Sequence, residues 1–124
     1  MLWSFLLVGY AISIAVETPI LMLGLSSEHP FLRRFLAGLW LTACTYPIVI
    51  LVMPHWFTSR AVYLAVAETF AAVAECLLFL AAFGWQGRPW RGVIRDCSVI
   101  VVANLASFGV GEWLRLEGWF EGIV

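Results

Sequence analysis

Residues 61–83 read AVYLAVAETFAAVAECLLFLAAF, an apolar run that carries two glutamates. Crossing ~30 Å of hydrocarbon takes about 20 apolar residues in a helix, so this run is long enough to span a bilayer. Glu68 and Glu75 are nearly two helical turns apart. They therefore share one helix face, separated by about 10 Å along the axis. A carboxylate at the bilayer centre costs about 2.5–3.5 kcal/mol on insertion scales. A chain that carries two must offset that cost through partners or put the acids to use.

Three more apolar segments accompany this one. Four helices are expected at about residues 2–25, 35–53, 61–83 and 93–114, with 115–124 as a short interfacial tail. Of the 124 residues 63% are hydrophobic and only 12% charged, against about 25% charged in soluble domains. That balance leaves room for one membrane domain and no soluble module. The runs lack period-2 alternation, and inside a membrane only helices or a closed barrel satisfy the backbone. The expected fold is all-α: a polytopic membrane protein with four transmembrane helices in an antiparallel bundle. Short connections favour antiparallel neighbours.

Orientation follows from arginine, which supplies all seven basic residues. Arg33, Arg34, Arg88, Arg91 and Arg95 fall at one end of the bundle, and Arg60 and Arg115 at the other. Counting positive charges places the first end inside and both termini outside, as in a bacterial-type inner membrane. Trp3, Trp56, Trp113 and Trp119 would mark the outer interface, Trp85 and Trp90 the inner one. No basic cluster is large enough for nucleic acid. Cys44, Cys76 and Cys97 lack a CxxC spacing and are expected to pack as small apolar groups. The tail, with Glu112, Glu117 and Glu121 among Trp113, Trp119 and Phe120, reads as an interfacial helix.

Each helix carries one stripe of small and polar residues at helical spacing. In the first it is Tyr10, Ser13, Glu17 and Gly24; in the second Gly38, Thr42 and Thr45. In the third it is Ala65, Glu68, Ala72 and Glu75; in the fourth Cys97, Asn104, Ser107 and Gly111. Four such stripes point to one shared interior. Glu17, Glu68, Glu75, Asn104, Thr45 and Ser107 are the candidate ion or proton pathway. No basic side chain lies among them. The acids must then hold protons, share one, or bind a cation, which is the chemistry of proton relays and cation pathways. A divalent metal is the one cofactor this suggests, with Glu17 and Glu75 as its candidate ligands. Pro19 and Pro47 would free the carbonyls of Ala15 and Ala43 nearby.

A short internal match ties these residues together. Glu17 at the end of helix one matches Glu75 at the end of helix three, and Thr42-Ala-Cys-Thr45 matches Asn104-Leu-Ala-Ser107. Two hairpins of the same topology would then be related by an axis along the membrane normal, with Glu17 and Glu75 facing each other. P-loop, GxSxG, HExxH and dinucleotide signatures are absent, and no nucleophile–base pair is visible, so the chain leans away from enzymes. The expected function is binding or transport of a small cation, a proton or a divalent metal, as a homodimer if it transports. The rival reading is an accessory or assembly subunit docked in a larger membrane complex.

Overall fold

The computed structural model describes residues 2–84, 86–119 and 121. Among these there are four long helices: α1 (Leu2–Gly24), α2 (Phe31–Pro47), α3 (Arg60–Phe83) and α4 (Trp90–Leu116). α1, α3 and α4, and α2 together with the helical turns that continue it to Trp56, are each long and apolar enough to cross a membrane, with mean hydropathy of 1.6 to 2.0 over the spanning window. The helices alternate in direction, and each packs mainly against its two neighbours in a ring, α1–α2–α3–α4–α1. Leu7, Leu23, Leu77 and Leu105 project from the outside of the ring and are exposed. An apolar exterior of this kind fits an integral membrane protein in contact with lipid.

Local chemistry sets the helix ends. Pro30 and Pro89 stand at the N-caps of α2 and α4, where proline's fixed φ and missing N–H cost nothing. Both helices therefore begin three or four residues before the positions expected from the apolar runs. Arg33, Arg34, Arg91 and Arg95 lie within helices rather than in loops. Ser59 caps α3, its Oγ accepting from the Val62 N–H at 3.4 Å. Gly84 ends the same helix at φ +82°, a conformation that glycine adopts without steric cost.

Pro47 acts more strongly than a simple kink. Beyond it the chain runs through a π-helical turn, Ile48–Val52, and a 3-10 turn, Met53–Trp56. Proline cannot donate to the carbonyl one turn back, and a wider turn takes up the register change. Pro19, by contrast, leaves α1 continuous to Gly24. The tail also departs from expectation: after Leu116 its described residues form a turn, with Gly118 at φ +79°. Phe120 and residues 122–124 lie outside the described residues, as does Trp85.

The two halves of the bundle are built differently. The buried apolar cluster is Leu21, Leu25, Ala37, Leu41, Phe79, Ile100 and Ala103. All seven belong to the half nearer the arginine-rich end. There the helices approach closely: Gly38 of α2 lies directly against Thr18 of α1, where a Cβ would collide. The opposite half, around the widened turn of α2, is hollow.

Candidate functional site

The hollow half contains a cavity of about 650 Å³. All four helices line it, and it reaches the end of the bundle at residues 57–60, Glu112 and Arg115. Glu17, Glu68, Thr45, Asn104 and Ser107 are among its walls. Five of the six pathway residues read from the sequence thus meet around one space. The sixth, Glu75, is not on the wall. It is only 2% exposed and lies behind Thr45 and Asn104, which stand beside its carboxyl.

Glu17 and Glu75 lie at similar depth, each about two turns from the arginine-rich end of its helix. Thr42 Oγ1 donates to Glu17 Oε2 at 2.5 Å, and Ser107 stands beside the same carboxyl. Each acid therefore meets one side chain from α2 and one from α4. Under the sequence match, Glu17 exchanges with Glu75, Thr42 with Asn104, and Ser107 with Thr45. The observed neighbours obey that exchange.

The pairing is unequal in one respect. Asn104 Nδ2 donates to the Ile100 carbonyl at 3.0 Å, and Thr45 Oγ1 donates to the Leu41 carbonyl at 3.2 Å. Thr45 thus spends its one proton on its own helix, and Asn104 one of its two amide N–H groups. Glu75 Oε2 is left buried with no hydrogen-bond partner among the described residues. Its charged neighbours are two further acids, Glu17 and Glu68. An unsatisfied buried polar atom ordinarily costs about 1–3 kcal/mol.

Glu68 lies at the edge of the buried face and is half-buried. The inward residues of α3 are Ala67, Ala71, Glu75 and Phe79, so Ala65, assigned inward by spacing, instead faces out. At the mouth, Arg60 Nη2 donates to Glu112 Oε1 at 2.6 Å and Arg115 Nη2 to Glu112 Oε2 at 2.9 Å. Among the described residues no group of three or more His, Cys, Asp or Glu side chains gathers as a metal site. The three cysteines are free.

A second buried polar cluster was missed by sequence reasoning. Asp96, on α4 at the arginine-rich end, is completely buried. It accepts from the Ser26 N–H at 2.8 Å, from His29 Nε2 at 2.7 Å and from Arg88 Nη2. His29 Nδ1 faces Arg33 Nη1 at 3.4 Å, and Nε2 faces Arg88 Nη2 at 3.1 Å as well as Asp96. Arg34 donates to the carbonyls of Met22, Ser26 and His29 at 2.7, 3.0 and 2.9 Å. It thereby satisfies carbonyls at and beyond the end of α1. Arg88 also pairs with Glu28 at 2.9 Å and holds that carboxyl below its ordinary range. Glu28 and Asp96 in turn push Arg88 above its ordinary value.

No known family model, curated protein or solved structure matches this chain. Its site is therefore read from its own geometry.

Proposed function

We propose that the protein carries protons through its intramembrane carboxylates, with Glu75, Glu17 and Glu68 as the exchanging groups. The supporting observation is Glu75: a fully buried acid with one unpartnered oxygen and only acids as charged neighbours. Such a group has no structural salt bridge to serve. Glu17 lies at the same depth and opens onto the cavity, and Glu68 continues the path toward the mouth. The roughly 10 Å between Glu75 and Glu68 along α3 is a span that one or two waters bridge.

Among small cations the proton suits this arrangement best. A divalent ion such as calcium takes about 6–8 oxygen ligands, whereas Glu17 and Glu75 have four carboxyl oxygens between them. The arginine count favours an inner-membrane orientation with both termini outside, so the cavity would open outward. The apolar core closes the other end, and a homodimer gives so small a bundle a route through.

Reconstitution into liposomes tests the reading. The wild type should dissipate an imposed pH gradient. Glu75→Gln, which keeps shape and hydrogen bonding but cannot ionise, should insert and fold while losing that response. If wild type and variant behave alike with both proton and divalent-metal gradients, the carboxylate reading fails. The accessory-subunit reading then replaces it.

A further inference from the structure

We infer that the cavity binds an amphiphilic organic cation, a ligand with one soft positive charge carried on apolar, ring-sized bulk. This rests on reading the carboxylates as a cation site and adds the size and polarity of what they meet. A file of waters would be enough for protons alone, and each water takes about 30 Å³ of liquid volume. The cavity, at about 650 Å³, falls instead in the ~300–1,000 Å³ range of sites for drug-sized molecules.

The walls state the chemistry. Phe5, Tyr46, Phe57, Tyr63 and Phe108 contribute aromatic surface from every side of the cavity. Tyr63 is fixed there by its hydroxyl, which donates to the Val49 carbonyl in the widened turn at 2.7 Å. Aromatic faces attract cations through the ring quadrupole. Glu17 and Glu68 supply the negative charge deeper in. The basic lining residues, Arg60 and Arg115, both lie at the mouth, and Glu112 pairs with both. An anion would meet two carboxylates inside. A strongly hydrated inorganic ion would have to exchange its water for aromatic carbon. A quaternary or delocalised cation loses little hydration and gains both wall and charge.

Equilibrium dialysis of the purified full chain in detergent tests this at constant pH. The probes are tetraphenylphosphonium and tetraphenylborate, which share a shape and differ in sign. The phosphonium should bind saturably, at least tenfold more tightly than the borate. Glu17→Gln and Glu68→Gln should each weaken it about tenfold. Gly111 lines the cavity, and a Cβ there meets nothing within 4 Å. Gly111→Phe should therefore fill the space and abolish binding while thermal unfolding stays normal. Equal retention of the two probes, or binding that survives all three substitutions, would overturn the inference. The liposome gradient assay contains no organic ligand, so the proton reading stands or falls separately.

Discussion

Asp96 and Glu75 are buried carboxylates on neighbouring helices, 0% and 2% exposed, yet their surroundings are opposite. Asp96 accepts from a backbone N–H, a histidine and an arginine. Glu75 has an oxygen with no partner and acids for charged neighbours. Their settings differ in the same sense. Asp96 is at the closed end of the tightly packed half, where it ties the α1–α2 connection to α4 and Arg88. Glu75 sits where that packing gives way to the cavity. Burial alone does not show what an acid is for. A carboxylate whose lone pairs are filled by fixed donors ties neighbouring segments together, whereas Glu75 keeps an oxygen that no donor among the described residues fills.

Removing Asp96 should break the comparison most severely. Asp96→Ala leaves His29 and Arg88 without their shared acceptor. Loss of one partner from a buried pair costs about 3–5 kcal/mol. The expected result is a large fall in Tm in detergent.

Two glycines compare the halves without touching a charge. Gly38→Ala pushes a methyl into Thr18 and should cost about 1–3 kcal/mol, as overpacking does. Gly111→Ala enters open space and should be neutral or gain up to about 1 kcal/mol in helix propensity. Thermal unfolding of the pair checks both. Similar losses at the two sites would mean that the second half is not hollow.

The glutamates were legible in the sequence because an acid inside an apolar run stands out and helical spacing fixes its face. Asn104, Thr45 and Ser107 followed from the same spacing. The cavity was not legible: Val49 and Ile50 of the π-turn after Pro47 form part of its wall, and sequence alone indicates only that a proline disturbs the helix. Asp96 was hidden beside Arg95 near a helix start, where charges read as ordinary interfacial groups. Its partners His29 and Ser26 are far away in sequence. The nearest signal was composition: Ser26, Glu28 and His29 in one connection, opposite Arg88 and Asp96 in the other.

Acidification should act on the packed end in a graded way. Arg88 holds the Glu28 carboxyl below its ordinary 4.5. The resulting stabilisation is present above that value and is lost as pH falls below it. Tm should decline through that window in the wild type and more shallowly in Glu28→Gln. The smallest effect is expected at the cavity mouth, where Arg60 is half exposed. Arg60→Ala should change stability by about 0–1 kcal/mol, as exposed ion pairs do, and salt should reduce the difference further.

The most direct test measures proton flux per folded molecule, in liposomes carrying wild type, Glu75→Gln or Asp96→Asn, alongside the Tm of each in detergent. Glu75→Gln should keep its stability within about 1 kcal/mol of wild type and lose flux. Asp96→Asn should lose Tm, while the molecules that remain folded retain flux. Wild-type flux in Glu75→Gln, or flux lost in folded Asp96→Asn, would contradict the division of the two acids into one that exchanges and one that holds.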